Sequence, residues 1–505
     1  MIKPLTFLLI TLSSFAFVHN ARVKVNVHPM VKNKKLIQLE GMFTVNNKPF
    51  LLISENRHLA VNYTAAIYPI EKDGNLGTPI RQPDVNLIDV YMAQKKSIYL
   101  ENIIINKDKT WVYFTKRKKG NGTVCCVELK EDCIINREGA QELMNLDLGT
   151  FHYYAAFDVR QSPDQSKILV VGMNSKTNKS SEYIFKLYTA GMKELIWEKK
   201  LNAPRRQGFF KGSDNFSTGR EPNSKIFCNF LLNNNGDVFM LADKENPSGL
   251  KHELSIYALD GKTGEHTSTE INLPGEYFNG TIFRLGKNGE ANFMAFYSSI
   301  KEKFVEFSNQ SGVKINSFVA LSYDGKETKT LADFTFTDEQ QSLFYPAKKR
   351  KPKTDYRIGG YTISNSINTP TGDLAILMEQ SFSTVGTERP FSNKTNGYVN
   401  VLILDSALQF KSCHPYERFQ STVPYRYFTV SRLFIRDGEL ELMYGNKDEQ
   451  LQLVNISKPS ARPMNLGSKY PQECSPFANT SLLLDGNYLV PFKTKGSLGC
   501  SKISR

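Results

Sequence analysis

The sequence predicts an all-β fold: a single β-propeller whose ring is closed by an N-terminal strand completing the last blade. Three observations predict it. A short hairpin pattern recurs along the whole chain. The strand after each turn is apolar without alternation. The last unit has room for too few strands, and the first residues supply a spare one.

The turns come first. Apolar stretches reverse at Asn235-Gly236-Asp237, Asn288-Gly289-Glu290, Thr371-Gly372-Asp373, Asp437-Gly438-Glu439 and Asp485-Gly486-Asn487. Looser copies turn at Asn46-Asn47-Lys48, Asn106-Lys107-Asp108-Lys109 and Ser162-Pro163-Asp164-Gln165. Reversing a strand within two residues favours positive φ, which Asn, Asp and Gly tolerate. Asp and Asn can also bond their own backbone two residues on.

An apolar run follows each turn: Phe50–Ile53, Trp111–Phe114, Ile168–Val171, Val238–Leu241, Phe293–Phe296, Leu374–Met378, Leu440–Tyr444 and Tyr488–Val490. Such runs imply burial on both faces, as in an inner strand between stacked sheets. More polar strands follow at Thr64–Ile70, Thr123–Leu129, Glu182–Leu187, Glu253–Leu259, Asn316–Leu321 and Tyr398–Leu404. Second turns at Asp73-Gly74, Asp260-Gly261 and Asp324-Gly325 lead to a fourth strand such as Glu194–Lys199. Turn spacing averages roughly 63 residues, long for a propeller blade, so insertions are expected. They fall at Asn202–Ser224, Ile300–Val313, Glu339–Arg357 and Ser381–Asn396. The count is eight four-stranded blades, or seven if the Asn46 hairpin is not one. The best short helix candidate is Ala140–Leu148.

Val23, Val25 and Val27 alternate with Lys24, Asn26 and His28, which suits the missing strand of the last unit. Residues 1–21 before it read as a signal peptide: Lys3, then the apolar run from Leu5 to Phe17, then small residues. No Cys stands near the expected cleavage point, which argues against a lipid anchor. Residues 22–505 form the propeller, and the expected location is secreted or periplasmic with no transmembrane segment.

The 505 residues carry 64 Lys and Arg against 50 Asp and Glu, a formal charge of +14. The densest run is Lys348, Lys349, Arg350, Lys351 and Lys353. It suits an anionic surface or glycan. No aromatics interleave with it, so nucleic acid is not expected as a partner. Seven Cys are present. In an oxidising compartment Cys126 and Cys133 are candidates to close a hairpin, and Cys474 and Cys500 to tie down the C-terminus.

The segment Tyr361–Asn446 resembles part of a family of secreted β-propeller proteins from Bacteroidota. The residues that carry the likeness are Thr371-Gly372-Asp373 before Ala375–Gln380, the strand Tyr398–Asp405, Gln420, and Leu442–Asn446. Ser162-Pro163-Asp164 before Ile168–Val171, and Leu195–Lys199, fit as well. The resemblance implies a fold and export, and carries no catalytic residue. Asp405-Ser406-Ala407 is similar to that phylum's O-glycosylation acceptor, which makes Ser406 a candidate for modification.

Residues with catalytic potential are few. The His residues are scattered singly, and no Gly-x-Ser-x-Gly or phosphate-cradling motif occurs. No metal or cofactor is expected. A channel-mouth glycan hydrolase or lyase would need two converging carboxylates. Glu379, with Gln380 beside it, is the best single candidate for a binding role. Asp237, Glu290 and Asp373 sit in turns, where backbone reasons suffice. Trp111 and Trp197 read as core. The expectation is an exported binding or scaffold protein that meets an envelope protein or an anionic surface. The hydrolase and a basic-loop attachment protein stand as alternatives.

Overall fold

In the computed structural model the residues described are 24–27, 31–32, 36–56, 63–86, 98–106, 109–118, 121–147, 157–175, 180–192, 194–204, 229–245, 252–274, 277–298, 316–349, 361–385, 392–422, 431–446, 451–458, 462–465, 482–484, 487–494 and 497–504. They are nearly all strand. The chain opens with β1 (Lys24–Val27) and β2 (Val31–Lys32). Next come β3 (Leu36–Val45), β4 (Lys48–Asn56), β5 (Tyr63–Pro69) and β6 (Ile80–Asn86), then β7 (Ile98–Asn106), β8 (Lys109–Lys118), β9 (Asn121–Leu129) and β10 (Gln141–Asp147). These eight form one sheet of two antiparallel meanders, joined by the parallel pairs Val85↔Ile98 and Asn86↔Tyr99.

Separate four-stranded meanders follow. One holds β11 (Phe157–Gln161), β12 (Lys167–Ser175), β13 (Ser180–Thr189) and β14 (Leu195–Pro204). The next holds β15 (Asn229–Leu232), β16 (Val238–Glu245), β17 (His252–Leu259) and β18 (His266–Ile271). After it come β19 (Tyr277–Leu285), β20 (Ala291–Ser298), β21 (Ser317–Tyr323) and β22 (Thr328–Thr335). The last two are β23 (Tyr361–Asn368), β24 (Leu374–Val385), β25 (Ser392–Leu404) and β26 (Phe410–Thr422), and then β27 (Arg432–Arg436), β28 (Glu439–Gly445), β29 (Leu451–Asn455) and β30 (Met464–Asn465). The chain ends with β31 (Leu482–Leu484), β32 (Asn487–Thr494) and β33 (Ser497–Ser504). Its sheet is completed from the other terminus: β1 pairs β33 from Lys24↔Ser504 to Val27↔Ser501, and β2 adds Val31↔Leu498. The N-terminal strand therefore closes the ring and covers an edge that would otherwise stand open.

The first strands of successive sheets lie against one another, β11 on β15, β15 on β19, β19 on β23 and β23 on β27. They converge on a central axis. The architecture is an all-β propeller of four-stranded units.

The apolar runs occupy the second strands, not the axial ones. The reason lies in the period of two. Leu374, Ile376 and Met378 of β24 enter one core cluster, while Ala375 and Leu377 enter the next. In β16, Val238, Met240 and Ala242 face one way and Phe239 and Leu241 the other. Each second strand is clamped between neighbouring sheets, so both faces must be apolar. Each buried Leu, Ile or Phe contributes roughly 1.5–3 kcal/mol. First strands carry more polar residues because they also border the channel. The ring-closing seam has its own cluster, with Leu51 and Ile53 of β4 against Leu489, Leu498 and Cys500.

Two local expectations are corrected. Ala140–Leu148 is not a helix; Gln141–Asp147 is β10, which finds a backbone partner in β9. The supposed loop Ser381–Asn396 is largely ladder, with β24 running to Val385 and β25 starting at Ser392. The one short α-helix among the described residues, α1 (Asp338–Ser342), starts at Thr337 in a capping box with Gln340.

Candidate functional site

Antiparallel meanders divide the connections between two ends of the ring. First-to-second and third-to-fourth strand turns leave one end. Second-to-third connections, and those between sheets, leave the other. Every connection longer than 130–140 leaves the second end: 205–228, 299–316, 336–360 and 466–481.

The first end is a belt of locked turns. Asn46 and Asn47 both have positive φ, 49° and 61°, as a two-residue hairpin requires. Asp260 Oδ1 accepts the N–H groups of Lys262 and Thr263, and Asp324 Oδ1 those of Lys326 and Glu327. Asp405 Oδ1 accepts from Ala407 and Gln409. These bonds hold the Asp260 and Asp324 carboxyls below the usual carboxylate range. Neighbouring turns are also tied to each other. Asn106 Nδ2 donates to Gln165 O at 3.0 Å, Asp164 N to Asn234 Oδ1 at 2.9 Å, and Asn233 Nδ2 to Gly289 O at 3.0 Å. Asp237, Glu290 and Asp373 serve the same scheme: Asp237 Oδ1 takes the Gly261 N–H, Glu290 Oε2 the Asn288 N–H, and Asp373 Oδ2 the Thr371 hydroxyl.

The axial strands enclose a recess of about 220 Å³ lined by Arg160, Phe230, Thr281, Phe283, Asn365 and Ser366. Bulges at Phe278/Thr281 in β19 and Ile363/Asn365 in β23 flank it. Its guanidinium is engaged, since Arg160 Nη2 stands 2.7 Å from Asp158 Oδ2. The other ionisable groups described on axial strands are Arg284, Arg432, Arg436 and the buried Tyr361. Arg436 is buried, paired with Glu441 at 2.8 Å and stacked over the Tyr488 ring at 4.6 Å. Among the described residues no group of three His, Cys, Asp or Glu is placed to hold a metal. His414 of β26 sits 3.0 Å from Ser412 Oγ, and burial pulls its pKa down.

The residues singled out from sequence do not converge. Glu379 lies in β24, where its Oε1 meets Arg418 Nη1 at 2.8 Å and accepts the Ser431 N–H at 3.0 Å. Gln380 beside it is buried. Lys348 is exposed and pairs with Glu417 at 2.9 Å. Lys349 ends the short 3-10 turn after α1, whereas Arg350, Lys351 and Lys353 lie outside the described residues. Ser406 is exposed at the tip of the Asp405 turn. Trp197 is core as expected, buried and donating its indole N–H to Gly261 O at 3.0 Å.

The Cys126–Cys133 bridge is not present. Both thiols are free, because Cys126 faces the cluster between β9 and β12 while Cys133 enters the cluster on the opposite side of β9. The neighbouring Cys125 shares that side with Cys133. Burial pushes the Cys126 and Cys133 thiols up to about 12. Cys500 is buried in the closing seam, and its candidate partner Cys474 lies outside the described residues. Sequence reasoning missed Arg418 and the Arg160–Asp158 pair. Only the polar alternation in Phe157–Gln161 hinted at the second.

No protein-family model and no curated protein matches the chain. Solved propellers do. The chain is similar to an acylaminoacyl peptidase from Pyrococcus horikoshii at 11% identity and a TM-score of 0.39, over 85% of this chain and 52% of that one. It is similar to the β-propeller domain of the trilobed protease from Pyrococcus furiosus at 12% identity and 0.36, over 87% and 97%. The WD40 domain of SCAP from fission yeast aligns at 10% identity and 0.37, over 95% and 98%. The chain thus spans about half the length of the acylaminoacyl peptidase. The propeller assignment rests on the sheets themselves.

Proposed function

We propose that this is an exported binding or scaffold protein, an eight-bladed propeller if the eight-stranded sheet counts as two blades, with its recognition face at the end of the long connections. The observation that carries the reading is the segregation of connections. No connection at one end is longer than 130–140, and several turns there are hydrogen-bonded to one another, while the four longer connections leave the other end. A rigid scaffold that displays loops on one side is the usual arrangement of a binding surface.

Charge supports the same face. In sequence, basic residues outnumber acidic ones in the second-end connections, and acidic residues outnumber basic ones in the first-end turns. The first-end acids are fixed there by the turns that need them. The basic excess therefore favours an anionic partner, an envelope protein or glycan, at the opposite end. Export follows from the apolar leader ahead of β1, and Ser406 is an exposed acceptor for modification.

Two measurements test this. N-terminal sequencing of the protein recovered outside the cytoplasm should start shortly before Lys24; an intact Met1 on all of it would remove export. A photo-cross-linking residue at Lys348 should give adducts in producing cells, and one at Lys262 of the first end should not. Adducts only from Lys262, or from neither position, would overturn the assigned face.

A further inference from the structure

The 130–140 connection between β9 and β10 is the longest at the first end, and it is built rather than loose. Cys133 and Ile135 point into the core. The Gln82 side chain of the preceding meander clamps both, donating to Cys133 O at 2.7 Å and accepting from Ile135 N at 3.3 Å. Asp132 accepts the Ile134 N–H and Asn136 the Glu138 N–H. Asn46 Nδ2 reaches across to Glu131 at 2.8 Å. With its neighbours pinned inward, Ile134 is forced outward and is 55% exposed. The hydrogen bonds that seat Cys133 and Ile135 thus hold a large aliphatic side chain at the surface at Ile134.

Beneath this segment lies a groove of about 900 Å³, with Trp111, Val127 and Ile134 among its lining. The two tryptophans differ in use. Trp197 ties one sheet to the next through Gly261. Trp111 is half-buried against the core cluster, as the sequence predicts, gives its N–H to no protein acceptor, and also lines the groove. The same groove is lined by the acids Glu128, Asp132 and Glu138, by Asn136 and Gln141, and by Lys130 and Arg137. Opposite charges interleave, three carboxylates against two cations, so the groove carries only a small acidic excess and suits an uncharged ligand better than an anion. It offers many donors and acceptors beside an indole face. Some are already engaged, Glu128 Oε2 by Lys109 Nζ at 2.8 Å and Gln141 Nε2 by Met192 O at 3.4 Å, but an apolar peptide would still cut their remaining bonding capacity off from water. A pyranose ring meets both demands, with C–H bonds against the indole and hydroxyls that both donate and accept.

We propose that this groove is a binding site for a neutral oligosaccharide, with Trp111 as stacking platform, Ile134 as the opposing wall and Asn136 and Glu128 as hydroxyl partners. The site lies at the opposite end from the proposed recognition face and is independent of it.

The test is calorimetric titration of the whole protein with cellohexaose, xylohexaose and chitohexaose. At least one should bind saturably below about 10 mM. Ile134→Asp, at an exposed position that leaves the core intact, should weaken that binding about tenfold or more. Trp111→Phe should do the same and also abolish any ligand-induced change in tryptophan emission. Lys348→Ser should leave binding unchanged. Absence of binding by all three sugars overturns the proposal. So does binding that is indifferent to both Ile134→Asp and Trp111→Phe.

Discussion

Arg418 Nη1 stands 2.8 Å from Glu379 Oε1, and the same carboxylate oxygen takes the Ser431 N–H just ahead of β27. Arg418 Nη1 also donates to Ser431 Oγ at 3.0 Å. Glu379, the carboxylate that sequence marked for a binding role, is thus the hinge pin between two successive sheets. Its partner is 2% exposed while Glu379 itself is 22% exposed.

That asymmetry sets the first prediction. Glu379→Ala leaves a buried guanidinium without its counter-charge and should cost about 3–5 kcal/mol in denaturant unfolding. Arg418→Met leaves a carboxylate that water can reach, and fills the space with apolar atoms. It should cost clearly less. Equal losses would mean that the pair does not carry the junction.

Gly261 and Gly172 make a second contrast. A Cβ on Gly261, whose carbonyl accepts the Trp197 indole N–H, would meet the backbone of Asn235 and Gly236 at 2.6 Å. A Cβ on Gly172 would meet only the side-chain ends of Met144 and Leu146. Backbone cannot swing aside, whereas Met and Leu change rotamer. Gly261→Ala should therefore lower stability by about 2–3 kcal/mol and Gly172→Ala by less, read from unfolding midpoints.

Ring closure gives the third. Replacing Lys24–Val27 with Gly-Ser repeats would uncover the edge of β33. The variant should unfold at a lower temperature and associate as concentration rises, by size-exclusion chromatography with light scattering. An unchanged monomer would show that β1 is dispensable to the edge.

Acid stability gives the fourth. Turn N–H groups and hydroxyls hold the carboxyls of Asp164 and Asp260 below their ordinary value. A carboxyl depressed in the folded state contributes stability above its unfolded value near 4, and that contribution disappears as pH falls through the folded value. Unfolding midpoints should hold from pH 7 to 5 and drop below pH 4. Asp164→Asn with Asp260→Asn should flatten that drop.

Turn chemistry and unalternating apolar runs were legible in the chain because each is a local demand: positive φ at Asn46 and Asn47, burial on both faces at Ala375–Met378. The spare strand before residue 28 was legible because an edge needs covering. The sequence by itself determined an all-β ring of hairpin units and how its ends meet. Which side of a strand each residue serves was decided only by tertiary packing. Cys126 and Cys125 are neighbours in sequence yet face opposite cores. Glu379 reads as a free strand-end carboxylate until Arg418 arrives from 39 residues away. The segment over the Trp111 groove is held by Gln82, which reaches Cys133 from 51 residues off. Those pairings depend on how sheets stack, which no local pattern encodes.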